Sequence, residues 1–353
     1  EWKKNNGEKI EIIDSSKTLA TTKNLNSYFQ NIGFLENKVV SEIIVDENNT
    51  NYADVNYKVT TGPQYYVGEI DTMIESTVLD SLYKINFDKS FIKKNDLFKT
   101  KNFELERERL NKLFKNSGIY NFQINSILYD VEIDSSSNIF SLPVKIIITG
   151  KNYTIHKIDK ISITNIKKDG NFDFNKDFLN SQIKFKVGEK FNDSLRTLTL
   201  QNFNKLDLFS FPSVSYSFIK NKKNKLEANI ILNSKKKHAI GFGFDIKQSN
   251  IEDIGISFEN KFKTRNIFKN GENLELSAVG SIGKSGDITI SQLNYDMSLK
   301  FPKFLLLGQR INNKPQIYNP RSYINLGASN QRNIGLDRNC LLYTSDAADD
   351  RVS

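Results

Sequence analysis

The chain has 353 residues, with 50 Lys+Arg against 41 Asp+Glu and a formal charge of +9. Apolar residues make up 38%, below the usual share of about 45–50%, yet 25 Phe and 14 Tyr exclude a disordered composition. No apolar run approaches the ~18 residues of a membrane-spanning helix, and one Cys with two His excludes a disulfide framework and most Cys/His metal centres.

The length suits two to four modules. The chain starts at Glu1 with neither Met nor a signal peptide, so a missing front end is expected and a targeting segment is not testable. The first periodic feature is a repeat. Leu25-Asn26-Ser27-Tyr28-Phe29-Gln30-Asn31-Ile32-Gly33 matches Leu110-Asn111-Lys112-Leu113-Phe114-Lys115-Asn116-Ser117-Gly118 as LNxxFxNxG. In each copy Leu and Phe lie four apart, on one helix face. Gly33 and Gly118 fall just past the helix end, where a left-handed cap needs no Cβ.

Alternating strands follow each helix, 39–45 and 51–60 in the first copy, 120–131 and 138–148 in the second. Each copy turns through a Gly-containing link (Gly62, Gly150) into an aromatic–aliphatic strand, 65–70 and 153–158. A third copy has a helix at 192–206 with a polar start at Asn192, then strands 213–220 and 225–233. There Asp207 stands where the other copies have Gly. Each unit of about 80–90 residues is therefore a small α+β module with a mixed sheet. The expected divisions are 1–62, 63–151 and 152–236.

From His238 the helical period vanishes. Ile240, Phe242, Phe244 and Ile246 alternate with Ala239, Gly241, Gly243 and Asp245. Four further alternating runs centre on 254–258, 274–278, 293–301 and 324–328. Strands of about 9–11 residues span a bilayer when tilted, and polar lumen against apolar exterior has the same period. A soluble sandwich also alternates but hides its apolar face under a second sheet. Strand length and inward Gly and charge favour an incomplete antiparallel transmembrane β-barrel over 237–339, since closure needs at least about eight strands.

Residues 340–353 (CLLYTSDAADDRVS) are expected to be a non-native tail, because Cys340 to Asp349 resemble the in-frame translation of a transposon end. Setting aside its three acids and one base raises the charge from +9 to +11.

Tandem α+β units ahead of a barrel resemble the outer-membrane assembly-factor superfamily of Gram-negative bacteria (BamA and TamA type), the units being similar to POTRA (polypeptide-transport-associated) domains. The stretches carrying the likeness are 7–34, 263–276 (KTRNIFKNGENLEL), 293–307 (LNYDMSLKFPKFLLL, with Phe301-Pro302-Lys303) and 321–332 (RSYINLGASNQR). Asp207 departs from the pattern. The resemblance implies insertion of β-barrel proteins into the outer membrane without ATP, POTRA units in the periplasm, and as partners unfolded outer-membrane or secreted client polypeptides, outer-membrane lipid and accessory assembly subunits. It also implies a first barrel strand that pairs weakly with the last, here Ala239–Lys247, and this strand is expected to template client strands, with Ala239, Gly241, Gly243 and Asp245 as candidate residues. Alternatives are a partner-specific secretion pore of the same superfamily and a structural outer-membrane protein or porin.

Other motifs carry less. Ala278–Ser285 fits a relaxed phosphate loop, but a strand rather than a helix follows. GFGFD (241–245) lacks the third Gly of a dinucleotide fingerprint. Lys222, Lys223, Lys225 and Lys235 to Lys237 read as one basic cluster, a collar at the membrane face in preference to a nucleic-acid site. His156, expected in a strand, and His238 have no third metal ligand nearby. Glu104, Glu106 and Glu108, alternating with Arg107 and Arg109, read as an exposed helix face. No catalytic, metal or cofactor-binding residues are expected, and no nucleic-acid partner.

Overall fold

The computed structural model describes residues 12–47, 52–133, 140–166, 174–248, 254–286, 288–303, 318–333 and 336–351. The expectations that fall on 7–11, 51, 138–139 and 304–307 lie outside them. The chain divides into two compact units, Glu1–Ile155 and His156–Ser353.

The first unit opens with helix α1 (Ser15–Asn31), started by the Asp14 carboxylate accepting from the Ser16 N–H at 2.8 Å. Strands β1 (Lys38–Val45) and β2 (Ala53–Thr60) pair antiparallel behind it. The following module contains β3 (Tyr66–Ile74), α2 (Thr77–Ile85), α3 (Thr100–Asn116), β4 (Ile127–Val131) and β5 (Ser141–Ile148). Its sheet order is β3-β5-β4, with β3 parallel and β4 antiparallel to the central β5. Leu110 and Phe114 of α3, Leu79, Ile119, Ile146 and Ile148 are wholly buried in its core, as the four-residue spacing demands.

Both helices of the repeat end alike. Gly33 and Gly118 have φ of +99° and +106°. The N–H of the residue after each glycine reaches back five residues, Phe34 to Phe29 O at 3.0 Å and Ile119 to Phe114 O at 3.1 Å. This is the double-bonded glycine cap that satisfies the last helical carbonyls. A Cβ at Gly33 would lie 2.7 Å from Phe98 O, so the glycine also lets the second module approach. Tyr65 completes that joint, donating its N–H to Gly33 O at 2.8 Å and its hydroxyl to Glu36 Oε1 at 2.6 Å.

One charged stripe was misjudged from sequence. Glu106 is fully buried, not exposed. It takes two hydrogen bonds from Arg109, at 2.6 and 2.8 Å, and one from the Phe91 N–H at 3.0 Å. Helical geometry explains the error. Glu106 lies three and four residues from Phe103 and Leu110, on the core stripe, and is tolerated there because Arg109 pairs with it. Burial and the Glu106 charge push the Tyr83 phenol up to about 12.

The second unit repeats the architecture. Strand β6 (Lys157–Ile166), helices α4 (Lys176–Gln182) and α5 (Asp193–Lys205), and strands β7 (Ser213–Phe218) and β8 (Lys225–Asn233) form a module of sheet order β6-β8-β7. The β6–β8 pairing is parallel and β7–β8 antiparallel, the arrangement seen in β3-β5-β4. His156 precedes β6 rather than lying in it, and is buried with its ring against Phe218.

Among the described residues six antiparallel strands follow, paired in chain order: β9 (His238–Lys247), β10 (Ile254–Arg265), β11 (Asn273–Ser285), β12 (Ile288–Phe301), β13 (Tyr318–Asn333) and β14 (Leu336–Arg351). The sequence suggested five strands of about 9–11 residues. The lengths are 10 to 16, because the ladders run on through polar positions where the alternation weakens. The phosphate-loop-like Ala278–Ser285 lies in β11, and the turn falls at Gly286. Most of 340–353, set aside as outside the fold, forms β14, with Ser329 opposite Cys340. Pairing there runs through backbone groups, which an open edge offers to any extended segment.

The Glu106 pair yields a stability test. Removing one partner of a buried, hydrogen-bonded pair costs about 3–5 kcal/mol. Glu106→Ala is therefore expected to destabilise the protein by an amount in that range, whereas Glu104→Ala, on the exposed face, changes little. Chemical denaturation followed by circular dichroism measures both; equal effects contradict the assignment.

Candidate functional site: a two-faced sheet edge and its ionic root

The sheet has one apolar and one polar face. Register places Ile240 opposite Phe262, Phe262 opposite Leu276, Leu276 opposite Met297 and Met297 opposite Leu326. Side chains on this face stand open: Ile240 is 68% exposed and Phe242 82%. On the other face Glu259, Lys261, Lys263, Glu275, Asp296 and Lys300 line up from the same strands, since neighbours in a strand point to opposite sides.

Among the described residues strand β9 is an edge, paired with β10 alone. The residues singled out from sequence all lie on its polar side. Ala239 pairs with Lys263, Gly241 with Lys261, Gly243 with Glu259 and Asp245 with Ser257. Glu259 and Lys261 form an ion pair at 2.8 Å that runs over the two glycines. A Cβ at Gly243 would lie 3.3 Å from the Glu259 Cβ, and one at Gly241 3.7 Å from the Lys261 Cβ. Position 243 is thus crowded by its partner, while 241 has ordinary room. The edge is thin, weakly held strand with one row of N–H and C=O groups available for pairing.

Asp207 organises the root of this sheet, and the sequence marked it only as a departure. It has φ +55°, the left-handed position held by Gly33 and Gly118 in the other modules. Its N–H bonds back to Asn204 O at 3.4 Å. Asp is among the few residues other than Gly to enter that region routinely. Its carboxylate holds Lys235 through Oδ1 and Lys263 through Oδ2 at 2.5 Å, with Arg265 Nη2 at 3.6 Å. Arg265 also donates to Asp207 O at 3.0 Å and to Lys236 O at 3.1 Å. Helix end, linker and β10 are thereby pinned by one side chain. Further ties are Asn273 Nδ2 to Leu206 O at 3.1 Å and Asn175 N to Lys269 O at 2.8 Å. Gly271, at φ +85°, lies against the Phe178 ring of α4, which occupies the space a Cβ would need.

The single basic cluster expected around residues 222–237 is two clusters. β8 separates them by its nine residues, about 30 Å of strand. Lys222 and Lys225 pair with Asp159 at 2.7 and 3.2 Å, while Lys235 belongs to Asp207 at the other end. Sequence adjacency misled because a strand moves the chain much farther per residue than a helix.

No protein-family model matches the sequence, and no curated protein matches it. Among solved structures the chain is similar to BamA from Haemophilus ducreyi lacking POTRA domains 1-3, at 10% identity and a TM-score of 0.41, over 80% of this chain and 58% of that one. It is similar to Haemophilus influenzae BamA POTRA3-5, at 13% identity and 0.35, over 65% and 83%. It is similar to CdiB from Acinetobacter baumannii, at 14% identity and 0.34, over 93% and 65%. BamA and POTRA domains are also what the sequence resembles. The chain spans less than two thirds of the Haemophilus ducreyi BamA chain and of the CdiB chain. At these identities the likeness is one of fold.

Asp207 carries a pH signature. Burial opposes its charge, but hydrogen bonds from Lys235 and Lys263, with their positive charge, outweigh it and lower the pKa from 3.8 to about 2. A depressed carboxylate stabilises fully above its ordinary value and loses that contribution as pH falls toward about 2. The carboxylate is 40% exposed, so solvent screening limits the effect to the order of 1 kcal/mol. Asp207→Asn, which keeps the left-handed turn, is expected to remove that pH dependence from the unfolding of the second unit. A pH titration of denaturation midpoints with unchanged slope between 4 and 2 contradicts the latch.

Proposed function

We propose that the chain is an assembly or insertion factor of the outer membrane of a Gram-negative bacterium. The α+β modules, divided near 62, 151 and 236 as the repeat suggests, stand in the periplasm and capture unfolded clients. The β9 edge then templates client strands at a barrel seam. The observation that carries this reading is the sheet itself: an exposed apolar face, a charged opposite face, and a glycine-weakened edge strand rooted on a POTRA-like module. An apolar face of this extent belongs against hydrocarbon, and its polar side belongs to a lumen. Energy then comes from strand pairing and apolar burial, without ATP. Client polypeptides, lipid and accessory subunits are the partners this function requires.

A secretion pore for one partner is the second reading, since CdiB and BamA share the architecture. A plain porin is disfavoured, because it has no use for tandem modules ending in an ionic root.

Depletion in the source bacterium separates the readings. Loss of many outer-membrane proteins is expected for an assembly factor, and loss of one secreted protein for a pore; unchanged outer-membrane and secreted proteomes contradict both. For the seam, Gly241→Val stiffens β9 where a side chain fits, and is expected to slow assembly severalfold in the full protein, the loss of flexibility at one glycine being about 0.5–1 kcal/mol. Pulse-labelled folding of a client barrel measures it, and a wild-type rate removes β9 as the template.

A further inference from the structure

The loop that carries Asp207 also carries an unexplained aromatic residue. Phe211 has φ +51° and is 95% exposed. A bulky residue in the left-handed region is an outlier, and Pro212 further restricts the residue before it. Strain held at a solvent-facing aromatic points to use rather than packing. Its neighbours Leu208 and Phe209 take the buried places, at 0% and 3% exposure.

The position of this loop along the sheet is fixed by its bonds. On the apolar face of the β9–β10 pair, Ile240–Phe262 is the last apolar rung, and the next, His238–Thr264, is polar. Asp207 grips Lys263, which lies between those two rungs along the strand but on the charged face. The loop is therefore anchored level with the end of the apolar band. Phe211 is four residues from Asp207, a reach of at most about 14 Å. A headgroup layer adds roughly 5–7 Å to each side of the hydrocarbon core. Phe268, 59% exposed in the β10–β11 turn, stands at the same end.

In the segments that adjoin Phe211 positive charge predominates. Segments 205–211, 235–237 and 263–272 hold seven cations (205, 235, 236, 237, 263, 265, 269) against two acids, Asp207 and Glu272. Asp207 is already shared by three of the cations, and Glu272 is buried. Lys205, Lys236 and Lys269 are exposed. Aromatic side chains beside lysines at the edge of an apolar band suit an anionic lipid interface.

We infer that Phe211 and the surrounding lysines form a membrane-interface anchor, by which the last α+β module rests on anionic phospholipid headgroups and fixes its angle to the sheet. This rests on the proposed insertion of the sheet. The experiment uses the full chain with Trp2→Phe, which removes its only tryptophan, and a single reporter introduced by Phe211→Trp or by Phe242→Trp. Each is reconstituted into phosphatidylcholine vesicles with or without phosphatidylglycerol, containing lipids brominated near the headgroup or deep in the acyl chain. The reporter at 242 is expected to be quenched by deep bromine. The reporter at 211 is expected to shift to the blue and be quenched by shallow bromine, more strongly with phosphatidylglycerol and less at high salt. In the otherwise unaltered chain, Phe211→Ser is expected to leave the melting temperature unchanged while weakening binding to phosphatidylglycerol vesicles about tenfold. Quenching at 242 with water-like emission at 211 overturns the anchor and leaves the insertion reading standing. Emission at 211 that shifts only when an accessory protein is added, with or without lipid, assigns the residue to a protein partner and overturns the anchor. No quenching at either position overturns both.

Discussion

The constraint that governs this chain is the segregation of the six-stranded sheet into an apolar and a charged face. Alternation with period two makes the segregation automatic once the register is set. It leaves Phe242 and its neighbours uncovered among the described residues, while Glu259, Lys261, Asp296 and Lys300 occupy the reverse. In water such a face is a liability. Against hydrocarbon it is what a spanning strand requires, because the interior strands pair on both sides and the edges are left as the sites of further pairing.

Within each unit a different problem is solved, that of fixing a helix end against the element that follows it. Two joints use related chemistry. At the first, Gly33 permits close approach to Phe98 and Tyr65 bonds back to Gly33 and Glu36. At the other, a left-handed residue again closes the helix, but Asp207 adds a carboxylate that reaches Lys235, Lys263 and Arg265. Replacing glycine by aspartate exchanges conformational ease for charge, and the gain is a fixed relation between the helix end, the linker and β10. On the proposed reading a template strand is useful only if its root is held, and the Asp207 contacts hold the root of the β9–β10 pair.

Much of this was legible in the residues. The LNxxFxNxG repeat announced both the helices and their glycine caps, because helix period and left-handed termination are local properties. Alternation after His238 announced the sheet and the sidedness of Gly241 and Gly243. What was hidden depended on distance through space. Glu106 looked like one charge among many, and only the packing of α3 shows that it faces the core with Arg109. The lysines before His238 looked like one cluster, and the extended path of β8 divides them. Asp207 was visible as an anomaly, but its partners, up to 58 residues away, were not. The lengths of β13 and β14 were missed because backbone pairing continues through polar stretches that carry little alternation.

The central claim is that alternate residues of β9 face lipid and water. Single cysteines placed one at a time from 240 to 245, in the complete protein with Cys340→Ser, can be reacted with a membrane-impermeant maleimide in outer membranes. The account predicts reaction at 241, 243 and 245, protection at 240, 242 and 244, and loss of that alternation when lipid is replaced by denaturant. Uniform reaction along the strand in the intact membrane, or alternating protection that persists in lipid-free soluble protein, would contradict it.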